Sequence, residues 1–272
     1  PNERYWKIGR PHGGHFKEDE ELRYASMMTS LGCPFTCTFC HIAGELRGSP
    51  SGEIGRFRIK SDERVLEELN VLKDMGVKQI FIEDDSLLGK KNRAIRLIKK
   101  MVGMGFDILD VNGVNIVHLL KDGKPDREVI EVLMEAGFRD IVLPFESANK
   151  RMISKYASNK WDITNSDVTG LIETCKEYNL RVAGNFMLGY PDETKQEVLN
   201  TVQYAKDRMK DGLDAANFFL VMPLPGTNMI NTPVPPQELE EIRDRAWQEL
   251  NRPEYTKYKK GMVIDKNTGE KR

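Results

Sequence analysis

The chain has 272 residues, with 41 Lys and Arg against 42 Asp and Glu and a formal net charge of −1. That balance leaves no electrostatic footprint for nucleic acid or an anionic membrane. No apolar run approaches the roughly 18 residues of a membrane span. The four cysteines fit a reducing cytoplasm better than a disulfide framework, and the length suits one α/β barrel.

Residues 1–22 are polar, carry Trp6, His12 and His15, and read as a lead-in or linker. The chain starts at Pro1, not Met, and is expected to be a piece of a longer one. From Arg23 a repeating pattern begins. Arg23–Thr29 reads as a short strand. Ser61-Asp62-Glu63 caps a helix whose apolar stripe is Val65, Leu66, Leu69, Leu72 and Met75, and Gly76 stops it. A strand follows at 79–82, a helix at about 90–104, a strand at 108–114 and a helix at 126–136. A fourth strand covers 141–144, and a helix over 164–178 places Cys175 in its core stripe as a small hydrophobe. A fifth strand spans 182–188. The next helix carries Val198, Val202, Ala205 and Met209, and a sixth strand spans 215–221. A charged helix follows Pro235-Pro236, then a polar tail.

Strand alternating with helix six times predicts a parallel sheet and a partial (β/α)6 barrel over 23–230, with a C-terminal helix and tail over 231–272. Right-handed crossovers curl such a sheet one way, and chemistry collects at the carboxyl ends of its strands. Those ends read Cys33–Cys40, Glu83-Asp84-Asp85, Asn112-Gly113, Glu146-Ser147, Gly189–Glu193 and Pro223–Thr227. Polar and glycine-rich residues therefore gather on one rim.

The first of these ends carries three cysteines, Cys33, Cys37 and Cys40, at spacing C-x-x-x-C-x-x-C. Three thiolates in one irregular loop can cap three irons of a 4Fe–4S cube and leave the fourth iron open to a ligand. A zinc-stabilised binding module using His41 is the rival from a different class. His41 is bonded directly to Cys40, and adjacent residues rarely reach one tetrahedral ion together.

Cys33, Cys37 and Cys40, with Phe39 before the last cysteine, resemble the cluster loop of the radical S-adenosylmethionine (SAM) superfamily. The resemblance implies a 4Fe–4S cluster whose open iron chelates SAM, and reductive cleavage of SAM to a 5′-deoxyadenosyl radical. It places Phe39 against the adenine and Glu83 and Asp84 at the SAM amino group. Glu146 and Ser147 fall at the ribose and methionine moiety, and Lys155 or Lys160 within reach of the carboxylate. Asn185, Met187 and Gly189 belong to the segment that pairs with the adenine edge. Pro223-Leu224-Pro225-Gly226-Thr227 resembles the sixth-strand end of radical SAM proteins with a cobalamin-binding domain. That likeness implies methylation of a small molecule or peptide with cobalamin, and an electron donor such as flavodoxin or ferredoxin. This chain has no D-x-H-x-x-G segment, so cobalamin is expected from a domain before Pro1 or from a partner chain. Cobalamin-independent rearrangement and methylthio transfer are the alternative activities.

Overall fold

The computed structural model describes residues 6, 23–46, 48–49, 52–225, 227, 229 and 232–251. The polar tail and all of the lead-in except Trp6 lie outside them. Six strands form one sheet: β1 (Tyr24–Met27), β2 (Gln79–Ile82), β3 (Asp107–Asp110), β4 (Phe138–Glu146), β5 (Arg181–Leu188) and β6 (Ala215–Leu220). They lie side by side in chain order, and every neighbouring pair is parallel. The intervening helices are α1 (Asp62–Asp74), α2 (Lys91–Met101), α3 (Arg127–Ala136), α4 (Lys150–Tyr156), α5 (Val168–Glu177) and α6 (Lys195–Lys210), and α7 (Pro236–Leu250) closes the series. Crossovers of one hand that always step in one direction put every helix on the same face. The sheet therefore curls into a partial barrel with its other face inside.

Side-chain alternation separates the two faces. Ile80, Ile82, Ile108, Ile141, Val182, Phe186 and Leu188 join the main core with Val65, Leu69 and Leu97 of the helices. Phe81 and Leu109, with the opposite parity, form a small cluster of their own with Tyr24 and Val111 on the helix-free face. Leu69 is fully buried and Val202 is 8% exposed, while Cys175 is enclosed in the α5 stripe. Trp6 covers the start of the sheet and donates from Nε1 to the Tyr24 carbonyl at 2.7 Å.

Several boundaries differ from the sequence expectation. β3 stops at Asp110 instead of continuing to Val114, because Gly113 turns the chain at φ 104°. β4 starts three residues earlier, at Phe138, with the charged Arg139 and Asp140 inside the strand. The helix α4 is too short and polar to register as a stripe. α7 is bound into the sheet: Asn251 after it donates to the Ala216 carbonyl and accepts from the Ala216 amide.

Candidate cluster and SAM site

The cysteine loop leaves β1 and is pinched at its base. Ser30–Leu31 pairs antiparallel with Arg58–Ile59, and the Cys33 amide donates to the Gly55 carbonyl at 3.2 Å. Gly32 adopts φ 72°, and a Cβ there would lie 2.5 Å from the Gly55 and Arg56 carbonyl oxygens, so only glycine fits. The far side of the loop is docked on α4 and the turn after it. The Thr38 amide donates to the Tyr156 carbonyl at 2.9 Å, and the Thr36 amide donates to Ser158 Oγ at 3.2 Å. A turn from Cys37 to Cys40 closes with the Cys40 amide on the Cys37 carbonyl at 3.0 Å.

All three thiols are free, with Cys37 buried and the other two half-buried. Burial pushes the Cys37 thiol up to about 12 and raises Cys33 and Cys40 as well, while the Lys160 ammonium pulls all three back toward the thiolate. Soft thiolates are the donors an iron–sulfur cluster takes, and binding a metal drives the proton off. Among the described residues no three His, Cys, Asp or Glu side chains are gathered closely enough to hold a single metal ion. Three free thiols on one loop are the soft donor set that a cluster would take.

Glu146 and Lys160 stand beside this loop. The β4–β5 register shifts between Pro144 and Glu146, and Glu146 sits at φ 65°. A bulge of this kind re-aims the side chain that follows it. The Phe145 ring stacks on Phe186 in the core at 5.1 Å, while Glu146 Oε1 accepts from Lys160 Nζ at 2.6 Å. Both side chains are nearly enclosed, at 7% and 8% exposure. Burial alone would lower the Lys160 pKa, but the Glu146 carboxylate and the cysteines more than offset it, and Lys160 ends above its ordinary value. Lys155, the other candidate for the SAM carboxylate, is an exposed residue paired with Asp192 at 2.7 Å.

Two residues expected at SAM already have partners within the chain. The Asp84 carboxylate is fully buried and accepts from the Thr29 amide, Thr29 Oγ1 and Ser30 Oγ. It fastens the entry to the cysteine loop. Its neighbour Asp85 does similar work, accepting from the Gly32 amide at 2.9 Å. Ser147 is likewise fully buried, with Oγ against Thr201 Oγ1 and accepting from the Asn149 amide. Glu83 remains half-buried at the end of β2, where its carbonyl accepts from Asn112 Nδ2 at 2.9 Å.

Asn185 and Met187 lie half-buried on the helix-free face of β5, and Asn217 of β6 donates to Asn185 Oδ1 at 3.2 Å. Gly189 ends β5 at φ 91°, and a Cβ there would lie 2.6 Å from Leu239 Cδ1 of α7. The glycine is therefore favoured by its backbone conformation as much as by any ligand. Glu193 caps this turn, taking the Gly189 and Tyr190 amides on Oε2. Phe39 meets the edge of Tyr190 at 5.8 Å, and Tyr190 stacks on Tyr156 at 5.0 Å. Tyr156 carried no sequence signal. It joins the site through its ring, its carbonyl and a 2.6 Å bond from its hydroxyl to Asp192 Oδ1.

A thiol loop, an adjacent aromatic and a buried ion pair stand together at the strand ends of a parallel partial barrel. The chain belongs to the radical SAM superfamily, whose profile matches residues 27–205. That family uses a 4Fe–4S cluster and SAM. An uncharacterised methyltransferase of Pyrococcus horikoshii is 32% identical over 208 residues, covering 76% of this chain and 41% of its own. Cytidylyl-2-hydroxyethylphosphonate methyltransferase of Streptomyces wedmorensis is 22% identical, covering 76% of this chain and 37% of its own. The chain thus spans about two fifths of these relatives. Among solved structures, the radical SAM methyltransferase TsrM of Kitasatospora setae, with cobalamin and a 4Fe–4S cluster bound, superposes with a TM-score of 0.58 at 17% identity, over 74% of this chain and 34% of that one. This likeness carries the fold.

Proposed function

We propose that this barrel binds a 4Fe–4S cluster through Cys33, Cys37 and Cys40, cleaves SAM there and methylates a substrate carbon with cobalamin. The carrying observation is the thiol loop docked by Thr38 onto Tyr156 at the rim, facing the buried Glu146–Lys160 pair. When bound, the cluster supplies the single electron that cleaves SAM. The chain's own residues bind and orient. Glu146 offers a carboxylate to the ribose hydroxyls, and Lys160 offers an ammonium to the SAM carboxylate. Phe39 lies against the adenine, the Glu83 end of β2 meets the amino group, and Asn185 and Met187 line the helix-free face beside it. The methyl-transfer reading is supported by the methyltransferase relatives. Cobalamin, a small-molecule or peptide substrate, a flavodoxin- or ferredoxin-type donor and the cytoplasm complete the proposal. No helix among the described residues is long and apolar enough to cross a membrane.

The test is anaerobic purification of the protein carrying the complete relatives' length, with iron, sulfide and cobalamin analysis. About four irons and four sulfides per chain are expected, lost when any of the three cysteines becomes Ala. Reduction with SAM should yield 5′-deoxyadenosine. One stoichiometric zinc and a colourless protein would instead identify a structural metal module. A brown protein that forms 5′-deoxyadenosine but holds no cobalamin would remove the methyl transfer and leave the radical chemistry.

A further inference from the structure

On the helix-free face, β5 and β6 present two ranks of side chains near their carboxyl ends. The in-register pairing sets Asn217 beside Asn185 and Phe219 beside Met187. Pro144 of β4 continues the first rank on the other side of Asn185. Phe219 is 45% exposed, and Met222 and Leu224 stand exposed just beyond the strand. Met187 packs against the Tyr156–Tyr190 cluster, as Phe39 of the cysteine loop does, so the second rank adjoins the site already described. Exposed apolar side chains gathered in one place mark a binding surface, and an apolar wall with a few placed polar groups is the usual make-up of a small-molecule site.

The polar groups of this wall are neutral. Asn217 Nδ2 donates to Asn185 Oδ1 at 3.2 Å, and among the described residues neither side chain makes another hydrogen bond. Whichever way the two amides are turned, one keeps its NH2 free and the other its carbonyl oxygen. The two ranks carry no charged side chain. On β4 and β5, Asp140 and Arg181 lie at the amino ends of the strands and pair with each other at 3.9 Å, while Glu146 at the rim is held by Lys160. A carboxylate, phosphate or ammonium set against this wall would lose its hydration with no counter-ion to replace it. An amide both donates and accepts, which matches the two groups left over.

We propose that this wall recognises the substrate: Asn185 and Asn217 hydrogen-bond an uncharged amide group of an otherwise apolar substrate, whose body lies on Met187 and Phe219. The proposal rests on the SAM reading of the adjoining rim, and it makes Asn217 and Phe219 determinants of specificity.

The experiment uses the anaerobically cluster-loaded protein with SAM and three probes of one shape, naphthamide, naphthoate and naphthylmethylammonium, with binding read by equilibrium dialysis. Naphthamide is expected to bind about tenfold more tightly than either charged probe. Phe219→Ala, at an exposed position, should weaken naphthamide about tenfold without changing the order of the probes. Asn217→Asp puts a carboxylate into the wall and should reverse the order, making the ammonium the best ligand. Equal binding of the three probes, no binding of naphthamide, or a parent that prefers a charged probe overturns the proposal. So does an Asn217→Asp variant that still prefers naphthamide. Where that variant does not fold, Phe219→Ala decides, and an unchanged naphthamide affinity overturns the proposal. SAM affinity, measured by calorimetry, that falls in Asn217→Asp without the reversal gives the amide pair to SAM and also overturns it. The two readings fail separately. A protein that holds no iron and forms no 5′-deoxyadenosine removes the SAM reading and this one with it, whereas full iron and 5′-deoxyadenosine with the wrong probe order removes this one alone.

Discussion

Glu146 occupies the left-handed region at φ 65°, a conformation that costs a non-glycine residue roughly 1–2 kcal/mol. Its compensation is the 2.6 Å bond to Lys160 in a nearly dry setting. Removing one member of such a pair leaves a buried charge without a counter-ion. Lys160→Met is therefore expected to destabilise the apoprotein by about 3–5 kcal/mol, read from urea denaturation. Glu146→Ala removes both the strain partner and the proposed ribose contact. It should weaken SAM binding to the cluster-loaded protein by roughly 1–3 kcal/mol, measured by calorimetry. SAM bound as tightly as by the parent would give Glu146 a purely structural role. Asp84 shows the opposite case: a carboxylate at a strand end whose three donors all come from Thr29 and Ser30. A sequence places such a carboxylate at the rim but not the direction in which it points.

At the scale of the element, each helix is held by its apolar stripe. Leu69 of α1 is fully buried against the sheet, and Leu69→Ala should cost about 2–5 kcal/mol in denaturation experiments, an effect of the cavity left behind. Gly189→Ala should cost about 1–2 kcal/mol for its backbone alone. The order of strands and helices was legible because apolar runs and stripes recur with their own periods from Val65 to Met209. The ends of elements were less so. Arg139 and Asp140 hid the start of β4, since neither charge reads as strand, and Gly113 cut β3 short. Helix α4 left no pattern at all, yet it carries the Tyr156 carbonyl that docks the cysteine loop. The candidate site was legible where it consists of side chains with distinctive chemistry, as at the three cysteines and Glu146. It was not where backbone groups do the work, because a carbonyl leaves no trace in a sequence.

For the molecule as a whole, buried carboxylates set the pH response. Burial pushes Asp110 to about 8, Glu193 to about 7 and Asp140 to about 6. These folded forms bind protons more tightly than the unfolded chain, so their contribution to stability is full below about pH 4 and declines as pH rises through these values. Asp192, held by Lys155, Tyr156 and Arg151 despite some burial, and Glu197, held by Arg151, lie the other way at about 2. Their contribution is present above the unfolded carboxylate range and is lost as pH falls toward 2. The apoprotein should therefore be most stable in mildly acidic solution and lose stability toward pH 8.5, measured as the urea midpoint across that range. Asp110→Asn, neutral at every pH, should flatten the decline by at least about 1 kcal/mol. A midpoint that rises steadily to pH 8.5 would contradict this assignment.

The bonds from Thr36 and Thr38 to Ser158 and Tyr156 span 122 and 118 residues, and this imposes an order in time. During synthesis the three cysteines leave the ribosome long before the turn that receives their loop exists. Until that turn and the Gly189–Glu193 segment have been made and the sheet has closed as far as β5, the thiols have neither the Tyr156 carbonyl nor the buried Lys160 beside them. Iron delivered earlier meets an open, water-exposed loop. Cluster insertion is thus a late event in the life of this chain, and a nascent chain arrested before residue 156 should release its iron to a chelator that the finished protein resists.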